Sequence, residues 1–124
     1  MSKKILLIED DPTIGGLTHK KLLSKGFQVS WAIDGEKGLK AIYDEKPDLI
    51  LLDLILPNID GFEILAKKQN DASIAKIPVI VLSNLYSEND MDKCLKLGAI
   101  GYFVKAKVFL EEVIEKIETV LKDS

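Results

Sequence analysis

Four apolar runs in this chain stop abruptly at a side chain that can do chemistry. Ile5 to Ile8 ends in Glu9 and Asp10, and Leu49 to Leu52 ends in Asp53. Pro78 to Leu82 ends in Ser83, and Ile100 to Val104 ends in Lys105. Brought together, the three carboxylates repel one another: at an effective dielectric of ~20, two unit charges ~4 Å apart cost about 4 kcal/mol. One lysine offsets only part of that, whereas a divalent cation offsets most of it. A donor set made only of oxygen, with no His or Cys nearby, favours a hard ion, and magnesium is the natural choice. A carboxylate can also be a nucleophile. Magnesium, an ammonium and a hydroxyl are what a transferring phosphoryl group needs around its oxygens. The residues alone therefore point to phosphoryl transfer onto Asp53.

The elements that position them alternate. The run before Asp53 is short, lacks a period of two and has turn formers on both sides, which suits a strand buried on both faces. Pro57, Asp60 and Gly61 then end the extended segment and start a helix. Pro12 suits the first turn of a helix running to about Lys25, with Gly26 as its stop. That helix has an imperfect apolar face of Ile14, Leu17 and Leu22, and its Gly15-Gly16 pair costs ~2 kcal/mol of intrinsic propensity. Phe27 to Ala32 reads as a second strand, and Asp34 caps a helix carrying Leu39, Ile42 and Tyr43. Asp60 and Glu63 form a capping box before Phe62, Leu65 and Ala66. Ser87 starts a fourth helix with Met91, Cys94 and Leu95 inward. The fifth has the clearest period of 3.6: Leu110, Val113, Ile114, Ile117, Val120 and Leu121.

Five strands and five helices in strict alternation predict a (βα)5 doubly wound three-layer sandwich. Its parallel sheet has the order 2-1-3-4-5, the flavodoxin-like order. Ligands in such sheets bind at the carboxyl ends of the strands where the order reverses, here between strands one and three. Glu9, Asp10 and Asp53 should converge there.

Composition narrows the class further. The 124 residues suit one domain, and 47% hydrophobic with 30% charged residues is ordinary for a soluble protein. A net charge of −3 makes no electrostatic case for nucleic acid or an anionic membrane. No apolar run approaches the ~20 residues of a membrane span, and no signal peptide is readable. The single cysteine, Cys94, excludes an internal disulfide and reads as a buried small hydrophobe. A cytoplasmic location is the expectation. His19 raises a rival, a histidine phosphocarrier, but it sits among Lys20 and Lys21 with no acidic partner at i+1 or i+4, as an exposed helix residue would.

The chain resembles the receiver domains of bacterial two-component response regulators. The resemblance rests on Ile5-Leu6-Leu7-Ile8-Glu9-Asp10-Asp11, the stretch from Asp53 to Gly61, Val81-Leu82-Ser83-Asn84 and Gly101-Tyr102-Phe103-Val104-Lys105. It runs from about Lys4 to Val120. It implies that Asp53 accepts a phosphoryl group from the phosphohistidine of a sensor histidine kinase or a phosphotransfer protein. It further implies that Asp10, Asp53 and the backbone carbonyl of Ile55 bind magnesium, with Glu9 holding it through water. Lys105 would pair with the phosphate, and Ser83 would move inward to bond it. Tyr102, at the switch aromatic position, would turn inward with Ser83. The responding surface would be helix four, strand five and helix five, read by a downstream target protein. A phosphorylation-dependent dimer stays open. A receiver over 1–124 with no output domain is similar to the stand-alone chemotaxis-type regulators, and is regulatory rather than an enzyme.

Two departures stand out. Ala106 replaces the proline that usually follows the strand-five lysine with a cis bond, which puts the placement of Lys105 in question. Ile55 and Leu85 occupy the positions that orient hydrolytic water in the family, so slow self-dephosphorylation is expected. The alternative reading is a receiver-fold interaction module that no longer uses phosphate. A haloacid-dehalogenase-type phosphatase is set aside, because Ile55 stands where its second Asp is needed.

Overall fold

The computed structural model describes residues 2–122. Its elements are β1 (Lys4–Ile8), α1 (Pro12–Ser24), β2 (Gln28–Ala32), α2 (Gly35–Glu45), β3 (Leu49–Leu52), α3 (Gly61–Gln69), β4 (Val79–Ser83), α4 (Glu88–Lys96), β5 (Gly101–Val104) and α5 (Leu110–Leu121), with a 3-10 turn at Lys105–Lys107. The sheet is parallel throughout and ordered β2-β1-β3-β4-β5, as the alternation predicts. Every residue of β3 and β4 is buried, so these runs need no polar alternation. Two apolar clusters lie on opposite faces of the sheet: one centred on Leu6, Ile8, Ile50 and Leu52, the other on Ile5, Leu7, Leu49 and Leu51.

Side-chain caps start α1 to α4, at Asp34, Asp60 and Ser87 as the sequence predicts and at Asp11 in addition. Asp11 accepts the Thr13 and Ile14 N–H groups at the start of α1, and Asp34, Asp60 and Ser87 accept those of Lys37, Glu63 and Asp90. On α5 the apolar positions Val113, Ile114, Ile117 and Leu121 are buried as expected. Cys94 is buried, and burial pushes its thiol up to about 11.

Several faces differ from expectation. On α1 the buried residues are Gly15, Thr18 and Leu22, while Leu17 is 62% exposed. The indole of Trp31 lies against α1 at Gly15, which turns that glycine inward and Leu17 outward. On α4 the buried residue is Cys94, Met91 is half-buried, and Leu95, one position round the helix from Cys94, is exposed. On α2 Tyr43 is exposed and its hydroxyl donates to Asp71. On α3 the buried apolar residues are Ile64 and Leu65, with Phe62 only partly covered. Phe27 and Ile100 fall just outside β2 and β5.

Candidate functional site at the switch point

β1 and β3 are neighbours and run in register, Ile8 beside Leu52, so the residues that follow each strand emerge together. Asp53 donates its backbone N–H to the Ile8 carbonyl (3.0 Å), and Glu9 donates its own to the Ala32 carbonyl (3.0 Å). Glu9 and Asp53 are buried, whereas Asp10 is exposed. One carboxylate oxygen from each of Glu9, Asp10 and Asp53 lies within 4.8 Å of the others. Their arrangement as three oxygen donors, with one edge open to water, suits a hard divalent cation that keeps part of its hydration.

Lys105 comes in from the end of β5. Its Nζ stands 2.6 Å from Glu9 Oε1 and 2.9 Å from Asp53 Oδ2. Burial opposes charge on this lysine, but its bonds to Glu9 and Asp53 outweigh that and hold the ammonium above its usual range. Burial is the main cause that raises Glu9 above the usual carboxylate range, against the lowering effect of Lys105. Ala106 does not displace the lysine: no peptide bond among the described residues is cis, and Lys105 opens the 3-10 turn with its ammonium between the two acids.

Backbone N–H groups hold the other oxygens of the two buried acids in place. Asp53 Oδ1 accepts the Leu54 N–H at 2.7 Å, and Glu9 Oε2 accepts the Asp11 N–H at 3.1 Å. Ser83, fully buried at the end of β4, accepts the Leu85 N–H on its Oγ (3.4 Å). Tyr102, on β5, donates its hydroxyl to the Leu85 carbonyl (2.5 Å), and burial pushes that phenol up to about 12. Ser83 and Tyr102 thus grip the two ends of one residue in the β4–α4 loop, a link that motif reading did not supply. Above the acids opens a cleft of about 490 Å³ lined by Asp10, Asp53, Ile55, Lys105 and also Pro12, Ile14 and Asn84. These last three are set by the first turn of α1 and by the step after β4. Asn84 follows Ser83 directly and was readable as a strand-end residue; Ile14 reads as core.

A doubly wound α/β domain with a cluster of three carboxylates and a bridging lysine at its switch point is the class that this geometry defines. Within that class the chain belongs to the response regulator receiver domain family, whose model matches residues 5–118. It is 36% identical over 96% of its length to the DNA-binding dual master transcriptional regulator RpaA of Synechocystis, of which it covers 49%. The chain thus spans about half the length of that relative. Among solved structures it is similar to a CheY-like receiver domain protein from Methanospirillum hungatei (TM-score 0.91, 29% identity, 99% of this chain and 96% of that one). It is also similar to the receiver domain of a sensor histidine kinase from Pseudomonas aeruginosa, solved with a magnesium ion coordinated in its active site cleft (TM-score 0.85, 25% identity, 96% and 97% covered).

Proposed function

We propose that this receiver domain is a magnesium-dependent phosphoacceptor, with Asp53 as the residue that takes the phosphoryl group. The observation that carries this reading is Lys105 poised between Glu9 and Asp53 beside an acidic cluster that is open on one side. In the reaction an Asp53 oxygen forms a bond to phosphorus as the P–N bond of a donor phosphohistidine breaks, and the imidazole leaves with that electron pair. Asp10, Asp53 and the Ile55 carbonyl, with Glu9 through water, would hold magnesium, which when bound would supply positive charge to the phosphoryl oxygens. Lys105 pairs with one of those oxygens once Asp53 carries the phosphoryl group as an acyl phosphate, and Ser83 bonds another. Moving Ser83 releases the Leu85 N–H, so the β4–α4 loop and Tyr102 respond together. The face formed by α4, β5 and α5 then changes its affinity for a downstream protein.

In this reading the donor is a sensor histidine kinase or a phosphotransfer protein, and the domain is regulatory, promoting its own phosphorylation and dephosphorylation. The compartment is the cytoplasm; no helix among the described residues is long and apolar enough to cross a membrane. The net charge of −3 gives the domain itself no basis for holding nucleic acid, whatever its longer relatives do.

Intact mass after incubation with acetyl phosphate, with and without magnesium, tests the reading. One magnesium-dependent phosphoryl adduct is expected in the wild type and none in Asp53→Asn. No adduct despite magnesium binding would favour a constitutive interaction module instead. The adduct should also persist. Ile55 is 60% exposed at the cleft and its side chain, like that of Leu85, offers water no hydrogen bond. Ile55→Asn is expected to shorten the adduct's half-life several-fold, followed by mass against time; an unchanged half-life would show that water is oriented elsewhere.

A further inference from the structure

The loop that carries Glu9 and Asp10 lies beyond the last paired residue of β1, so something must hold its peptides still. The Glu9 N–H is bonded to Ala32 at the end of β2. The Glu9 carbonyl is held by a side chain: Trp31 Nε1–H donates to it at 2.8 Å. Trp31 sits on β2 directly beside Leu7 of β1, with the ring reaching past the strand end. The same edge of the ring is fitted to α1. A Cβ at Gly15 would stand 2.2 Å from Trp31 Cζ2, so only glycine admits the indole there, and the His19 ring lies one turn on at 5.8 Å between centroids. The helix-weakening glycine and the tryptophan are therefore two halves of one contact.

We infer that Trp31 is a positioning residue for the cation site, fixing the Glu9–Asp10 peptides through its indole N–H while its ring is wedged against α1. It touches no reacting atom. It restricts the two acids to the geometry in which their oxygens face Asp53, as partners that orient ligands from behind do in metal sites generally. The inference rests on the proposed magnesium-dependent reading of the site.

Trp31→Phe removes the hydrogen bond together with the indole edge that meets Gly15, so metal affinity and stability are read separately. Calorimetric titration with magnesium is expected to show about tenfold weaker binding in Trp31→Phe, the lower end of what loss of an orienting partner costs. Thermal midpoints measured in EDTA separate this from loss of structure. A role in packing alone would lower the midpoint and leave magnesium affinity within twofold of wild type, which overturns the inference. The wild type supplies a second readout, because Trp31 is the one tryptophan in the chain. Its emission should shift saturably with magnesium, and the shift should weaken in Asp10→Asn. A wild type that binds magnesium tightly with silent Trp31 emission and an unaffected Trp31→Phe variant refutes the positioning role alone. A wild type that binds no magnesium refutes the reading beneath it as well.

Discussion

Lys105→Met is expected to lower the stability of the metal-free protein by about 3 kcal/mol and, in the same protein, to tighten magnesium binding. Lys105 Nζ is bonded to two buried carboxylates at 2.6 and 2.9 Å, and its side chain is only 9% exposed. Removing one partner of a buried pair leaves uncompensated charge and costs roughly 3–5 kcal/mol. The lower figure applies because Asp10 opens the cluster to water and Glu9, already raised by burial, can take up a proton. The sign with pH follows. Without the ammonium Glu9 rises further, so its protonation relieves the repulsion, and the deficit of the variant should shrink as pH falls through that raised value. Magnesium should restore most of the lost stability, since it supplies the positive charge that the lysine did. Urea unfolding in EDTA and in saturating magnesium measures both effects. An equal deficit under the two conditions would mean that lysine and cation do not share the site. Phosphoryl transfer moves the other way: losing a donor aimed at the developing charge should slow adduct formation by roughly 10²-fold despite tighter metal.

This opposition between apo stability and chemistry lies in the pairing of Lys105 with both acids, which no motif states. The strand ends were legible because buried parallel strands are unbroken apolar runs, so Glu9, Asp53, Ser83 and Lys105 each announce a boundary, and the topology then brings them to one edge. Helix faces were less legible. A period of 3.6 identifies an apolar arc but not how the helix is rotated on the sheet, and both Leu17 and Leu95 fall on the exposed side of that ambiguity. On α1 the rotation is decided by Trp31, which is distant in sequence and reaches the helix only through the pairing of β1 with β2. The grip of Ser83 and Tyr102 on Leu85 was hidden for a related reason, since it runs through backbone groups that carry no residue identity. Ala106 shows the converse: a motif departure that looked consequential leaves Lys105 in reach of both acids, because a 3-10 turn starts at that residue instead.

Gly61→Ala should damage stability and chemistry together, while Gly16→Ala should do neither. Gly61 opens α3, and its N–H is bonded to the Leu54 carbonyl at 2.9 Å. A Cβ there would lie 2.5 Å from the Asp53 carbonyl oxygen and 2.7 Å from Leu54 Cα. Both are backbone atoms at the end of the central strand, so no rotamer change relieves the contact, and Leu54 is itself fully buried. Overpacking of this kind typically costs 1–3 kcal/mol, and a clash with backbone belongs at about 3. The relief available is to push the Asp53–Leu54 segment away from α3, which strains the bond from Lys105 to Asp53 Oδ2. Adduct formation with acetyl phosphate should therefore slow even at temperatures where the variant is fully folded. Gly16 is the matched control: a Cβ there meets nothing within 4 Å, so alanine should stabilise α1 by about 1 kcal/mol through propensity alone, with adduct formation unchanged. Thermal unfolding paired with the mass assay reads all four outcomes. If Gly61→Ala loses stability yet accepts phosphoryl at the wild-type rate, Asp53 is held by β3 and Lys105 alone, and the packing of α3 against it plays no part in the chemistry.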